Sequence, residues 1–199
     1  MRPARINAGY SLIELTSVIS VMAIVAAVAL PMMNPSIVEQ LEGVAQVITE
    51  DAAYARSLGV VNNSKYRVTV DVTNQLYYLE HSGTNTALNT LPSTANRRAS
   101  DAATRNTIRL TDLPASRLAN LYAVVCGSTV SKTNFQIEFG AFGETTQTLA
   151  TVIWLSGGTG NSRRYLSVTI NPVTGLATIG DITATDPTSP ASGQSGGGS

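Results

Sequence analysis

GYSLIELTSVISVMAIVAAVALP, residues 9–31, decides how the rest of this chain is read. A glycine and an aromatic residue open it, Glu14 is its single charge, and from Val18 to Leu30 the only polar residue is Ser20. From Leu12 to Met33 the apolar run approaches the ~20 residues that carry a helix across a bilayer. Arg2 and Arg5 stand upstream with no acidic residue among the first nine, so the positive-inside rule places the amino end in the cytoplasm.

Three readings of this stretch compete. An ordinary secretory signal, cut after Ala27-Val28-Ala29, accounts for the basic flank and the small residues. It leaves Glu14 inside the apolar region and gives no reason for the helical pattern beyond Pro31. A plain single-span anchor also leaves Glu14 unexplained, since a carboxylate costs about 2.5–3.5 kcal/mol near the centre of a span and less toward its end. The third reading accounts for it. Gly9-Tyr10-Ser11-Leu12-Ile13-Glu14 resembles the type III signal of type IV prepilins and pseudopilins, in which a short basic leader ends in Gly, an aromatic follows, and Glu stands fifth after the cut. The resemblance implies that a prepilin peptidase cuts between Gly9 and Tyr10 and methylates the new Tyr10 amine. The apolar helix then serves as membrane anchor and as filament core. Pro31 falls where that family has a helix-bending proline; Tyr10 departs from its commoner Phe.

Charge suggests what Glu14 would do. Cleavage creates an ammonium at Tyr10, four residues away on the same helix end. In a staggered filament Glu14 could instead neutralise the Tyr10 amine of a neighbouring subunit. A buried charge is far less costly paired than alone, which would make Glu14 a register device for subunit addition.

Beyond the apolar run, Ile37, Leu41, Val44, Ile48, Ala52, Ala55 and Leu58 recur at helical spacing, with Glu39, Gln40, Glu42, Gln46, Glu50, Asp51 and Arg56 between them. Asn34-Pro35-Ser36 interrupts the pattern, so a kink or break is expected between Pro31 and Ser36. Gly59 is expected to end the helix. The remainder alternates as β structure: residues 66–72, 76–79, 107–113, 121–125, 134–139, 149–155, 165–170 and 176–179 are strand candidates. Asn171-Pro172-Val173-Thr174-Gly175 predicts a turn joining the last two as a hairpin. Residues 82–106 show no period and read as a long exposed loop, and 183–199 as a flexible Pro/Ser/Gly tail.

These pieces describe an α+β chain. Residues 1–9 are a basic leader, 10–58 a long N-terminal helix that spans the membrane and then becomes amphipathic, and 59–182 an antiparallel β domain, expected to hold two sheets, on which that helix packs. Within the pilin superfamily the chain resembles the GspH/FimT group of minor pseudopilins. Ala53-Tyr54-Ala55-Arg56-Ser57 is similar to that group's "ARSEA" segment. Ile137-Glu138-Phe139-Gly140-Ala141-Phe142-Gly143 is similar to its strand and Phe-x-x-x-Gly turn, with the choice between Phe139 and Phe142 open, and Thr174-Gly175 to its closing hairpin. Leu176 stands where the group has a basic residue.

Little in the composition points to other chemistry. Charged residues make up 13% and the formal net charge is zero, against roughly 25% charged in an average soluble domain. His81 and Cys126 are the only residues of their kinds, which gives a transition-metal site or a His-dependent hydrolase little support. Cys126 is expected to be a small buried thiol. The acidic residues are scattered, and Asp181 with Asp186 do not make a calcium cage of about six to eight oxygens. Gly157-Gly158-Thr159-Gly160 lacks the Lys-Ser/Thr of a phosphate loop and reads as a hairpin turn. No enzyme, cofactor, metal or small-molecule substrate is expected.

The partners implied are other pilin or pseudopilin subunits, the prepilin peptidase and the inner membrane, with the main domain periplasmic and later part of a secretion filament or pilus. A major or adhesive pilin is one alternative. A DNA-binding minor pilin is another, with Arg97, Arg98, Arg105, Arg163 and Arg164 as contacts; zero net charge and no aromatics interleaved with the arginines weigh against it.

Overall fold

The computed structural model describes residues 11–32, 36–92, 94, 98, 100–113 and 116–188. In chain order these form helices α1 (Leu12–Met32) and α2 (Ile37–Val61). Strands β1 (Tyr66–Asp71), β2 (Leu76–His81), β3 (Arg105–Arg109), β4 (Ala119–Cys126) and β5 (Thr129–Ser131) come next. They are followed by β6 (Asn134–Phe139), β7 (Thr151–Gly157), β8 (Arg164–Ile170) and β9 (Ala177–Ile179). Two sheets result, ordered β3-β2-β1-β6 and β5-β4-β7-β8-β9, and every pairing is antiparallel. The chain is therefore α+β with two helices and two antiparallel sheets. It divides into two compact units, one before Ser36 and one from Ser36 onward.

The break expected near Ser36 is present, and its chemistry is visible. Ser36 has extended backbone (φ −64°, ψ 161°) and begins α2 as a capping box. The Glu39 N–H donates to Ser36 Oγ (3.2 Å), and the Ser36 N–H donates to Glu39 Oε2 (2.7 Å). Two of the N–H groups that a helix start leaves unpaired are thereby satisfied. The helix expected over 10–58 with a kink or break between Pro31 and Ser36 is thus two helices, the second with its own start signal. Its end is corrected too. Gly59 lies inside α2, which continues to Val61 and is capped by Asn62. Gly59 instead permits close packing, because a Cβ there would stand 2.7 Å from the Gly140 carbonyl oxygen.

α2 contacts β1 and β6 of one sheet and β4, β7, β8 and β9 of the other. Its buried stripe is Leu41, Val44, Ala45, Ile48, Ala52, Ala55 and Gly59, together with Gln40, at the spacing that puts residues on one helix face. Gln40, read from sequence as a polar-face residue, is buried because its Oε1 accepts from the Leu118 N–H at 2.8 Å. Val68, Val70, Ile137 and Phe139 from one sheet and Leu121, Ile153, Leu155, Val168 and Ile170 from the other join this stripe in a single core. β7 alternates buried and half-buried residues along its whole length, as a strand with one face on the core must.

Several strand expectations shift. The strand expected over 107–113 starts at Arg105 and stops at Arg109, where a 3-10 turn (Leu110–Asp112) buries Leu110, whose N–H still donates to the Gln75 carbonyl at 3.0 Å. β5 was not expected; it pairs Val124–Cys126 with Thr129–Ser131 across Gly127, whose φ is +60°. Leu149 lies outside β7 and is exposed. The exposed loop over 82–106 holds a 3-10 turn, the buried Leu91, and Asp101, which pairs with Arg109 at 2.8 Å. The tail expected to be flexible from 183 is anchored at its start: Thr183 exchanges two backbone hydrogen bonds with Tyr165, and Asp186 accepts from the Tyr122 hydroxyl at 2.6 Å. Residues 189–199 lie outside the described residues. Cys126 is half-buried at the end of β4, its thiol 3.7 Å from Gln147 Oε1, and so is not a core thiol.

Candidate functional site

α1 is the first candidate. Glu14 is its only acidic residue in the first turn, where the partial positive charge of the helix N-terminus stabilises a carboxylate. The side chains described on α1, from Leu12 to Ala27, are all exposed in the single chain; Leu12 is 81% exposed, Met22 69% and Ile24 67%. The hydroxyls of this helix do not face outward for partners. Thr16 Oγ1 donates to the Ile13 carbonyl, Ser17 Oγ to Glu14 and Ser20 Oγ to Thr16, at 2.8–3.0 Å. Each polar group is thus closed on its own backbone. Among the described residues no helix is long and apolar enough to cross a membrane. Gly9 and Tyr10 lie outside the described residues. Pro31 is the penultimate residue of α1, and the bend expected beyond it falls on 33–35, also outside them.

The segments that resemble the minor pseudopilins converge at the end of α2. Arg56 Nε donates to the Thr174 carbonyl at 2.7 Å. Gly143, with φ +85°, sits against the same guanidinium, and Gly175, with φ +62°, backs onto the Gly143 carbonyl oxygen so closely that a Cβ would collide with it. Both glycines occupy the left-handed region that side chains resist. The choice between the two phenylalanines falls out of burial: Phe139 is fully buried, whereas Phe142 is 89% exposed. Phe139 stands four residues before Gly143 at the end of β6. The predicted hairpin after β8 is present, with Asn171 Oδ1 accepting from the Val173 and Thr174 N–H groups.

The arginines do not form one surface. Arg98 pairs with Asp112. Arg105 pairs with Glu80 at 2.8 Å and lies 4.5 Å over the Tyr78 ring, so an aromatic does accompany one arginine, as an intramolecular partner. Arg163 and Arg164 belong to the β7–β8 connection of the other sheet, where Arg164 donates to the Asn161 and Arg163 carbonyls. Arg97 lies outside the described residues. Gly157 ends β7, and the hairpin connection expected there runs from Gly158 to Arg163 with a 3-10 turn at Gly160–Ser162. Among the described residues no three metal-ligating side chains come together.

Two constellations carried no sequence signal. Asp51, on the buried side of α2, accepts from the Tyr77 hydroxyl at 2.6 Å. Burial raises the Asp51 carboxyl above its usual range, against the opposing pull of that hydrogen bond, and burial pushes the Tyr77 hydroxyl well above its own. The second lies at the open end of the first sheet, beside a groove of about 540 Å³. There Ser64 Oγ is 2.7 Å from His81 Nε2, and His81 Nδ1 is 2.8 Å from Asn89 Oδ1. Separations of 17 and 8 residues hid these partners, and only the pairing of Tyr66 with His81 brings them together. No protein-family model matches the chain, and no curated protein or solved structure is significantly similar to it.

Proposed function

We propose that this chain is a pilin-like structural subunit of the minor pseudopilin type, cut between Gly9 and Tyr10 by a prepilin peptidase and N-methylated at Tyr10. It anchors in the inner membrane through α1, with the unit from Ser36 onward on the periplasmic side. From there it assembles by that helix into a type II secretion pseudopilus or type IV pilus. One observation carries the reading: the side chains described on α1, from Leu12 to Ala27, are mostly apolar, lie on every face of the helix and are exposed. An all-round apolar helix requires lipid or other helices as its surroundings. A membrane first and a filament core afterwards provide both, and hydroxyls closed on their own backbone suit either setting. The convergence of Arg56, Phe139, Gly143 and Gly175 supports the minor-pseudopilin branch.

Sequencing of the mature amino terminus tests the cut. N-methyl-Tyr10 is expected; a start at Leu30 sinks the reading in favour of ordinary signal cleavage. Glu14→Ala tests the register role. Membrane insertion is expected to persist while incorporation into filaments is lost, and normal incorporation of the variant would refute the role of Glu14.

A further inference from the structure

The Ser64–His81–Asn89 chain has the order and spacing of a nucleophile, a base and a group that orients the base. Asn89 Oδ1 can only accept, so it fixes the proton on His81 Nδ1 and leaves the Nε2 lone pair for the Ser64 hydroxyl. The imidazole is held by a second contact, its ring standing edge-on to Tyr66 at 5.1 Å between centroids. Asn63, immediately before Ser64, has φ +46°, so the serine follows a sharp left-handed bend at the exit of α2. Gly83 makes the approach feasible: a Cβ there would collide with Ser64 Oγ and lie 2.8 Å from His81 Nε2. The same gap is bordered by Lys65 N, 3.2 Å from that point. Among the described residues no carbonyl accepts from this N–H, which leaves it as a donor next to the nucleophile.

The groove beside these residues is wide enough for a small ligand, within the roughly 300–1,000 Å³ of typical sites. Ser64, Lys65 and Gly83 line one part of it, and Phe142 and Glu144 another. Glu144 Oε2 accepts from the Phe142 N–H at 3.0 Å, which closes the turn that carries the exposed ring. Lys65 is neutralised by Glu138 at 3.1 Å. With Glu144 on the wall and Lys65 paired, the groove suits a neutral substrate rather than an anion.

We infer that Ser64 and His81 form an acyl-transfer site, positioned by Asn89, that acts on neutral carboxylic esters. Ser64 Oγ bonds to the ester carbonyl carbon as its proton passes to His81 Nε2. The carbon–oxygen bond to the alcohol then breaks, and the alcohol leaves with that proton. Water attacks the acyl-serine, gives a proton to His81, and releases the carboxylic acid as the proton returns to Ser64. The Lys65 N–H faces the oxyanion formed at each attack.

A fluorophosphonate probe and a p-nitrophenyl acetate assay on the full chain in detergent test this. One adduct, mapped to Ser64, and steady ester turnover are expected. Ser64→Ala abolishes both. His81→Gln lowers both by about 10²–10⁴-fold, the contribution of a general base. Asn89→Ala lowers both, and Asn89→Asp, which keeps an acceptor for Nδ1–H, restores them; wild-type turnover by a folded Asn89→Ala chain would remove Asn89 from the positioning role. No adduct on the wild-type chain, an adduct at another residue, or equal labelling of a folded His81→Gln chain overturns the inference. The mature amino terminus is unaffected by all of these variants, so a failure here is distinct from a failure of the filament reading.

Discussion

Asp51 looks inward from α2 onto Tyr77, and its titration has a defined sign. Its folded-state carboxyl is raised, with burial the largest cause, the Tyr77 hydrogen bond opposing, and Glu50 adding a little. Below the unfolded value of about 3.9 both states are protonated and the group contributes nothing to pH dependence. Between that value and the raised one the folded chain holds a proton that the unfolded chain has lost. Stability therefore falls as pH rises through this window and stays reduced above it. Asp51→Asn keeps an acceptor for the Tyr77 hydroxyl and removes the titration. Urea melts are expected to give the variant a higher midpoint than wild type at pH 7, with the gap closing toward pH 3; a lower midpoint at pH 7 would contradict the sign. Asp101 acts in the opposite sense. Arg109 holds its carboxyl below the usual range, so its contribution is present at neutral pH and fades as pH falls through that lowered value.

Among the elements, α2 shows most clearly what could be read in advance and what could not. Its stripe from Ile37 to Leu58 was legible because burial against a sheet imposes a helical period on the apolar residues. The strands were legible where one face meets the core, as in β6, whose bounds match the alternating pattern. β5 was not, because its residues are mostly exposed and only Gly127 marks the turn. Gly59 misled because a glycine needed for close packing and one that stops a helix look the same in sequence. The two are separable by substitution. Ala is better than Gly inside a helix by about 1 kcal/mol, yet a Cβ at Gly59 must displace backbone at Gly140, and overpacking costs about 1–3 kcal/mol. Gly59→Ala is expected to lower the thermal midpoint, and a rise would show that the close approach to Gly140 does not require a glycine. Ser36→Ala removes the cap and is expected to cost about 1 kcal/mol. Denaturant unfolding measures that directly, and an unchanged free energy would mean that α2 needs no side-chain cap. The groove residues show a further limit. Ser64, His81 and Asn89 form no motif, because a hydrogen-bonded chain between a helix exit, a strand end and a turn leaves no period or spacing to recognise.

For the whole molecule, the division before Ser36 separates two kinds of stability. Every residue of the hydrophobic core lies at or after Leu41, and the helix that closes it carries its own N-terminal cap at Ser36. Among the described residues, the unit from Ser36 onward therefore has a hydrophobic core of its own. The described side chains of α1, Leu12 to Ala27, are by contrast exposed, as the proposed membrane and filament settings would have them. A chain starting at Ser36 is accordingly expected to stay monomeric without detergent. It should melt in one cooperative transition, within a few degrees of the full chain in micelles, and keep the near-ultraviolet signature of Trp154, which sits in β7. The same chain is expected to be absent from filaments in a strain that makes it in place of the full chain. Loss of cooperative melting would show that α1 supports the fold as well as assembly. Incorporation into filaments would show that contacts from Ser36 onward suffice for assembly, and would remove α1 from its assigned role.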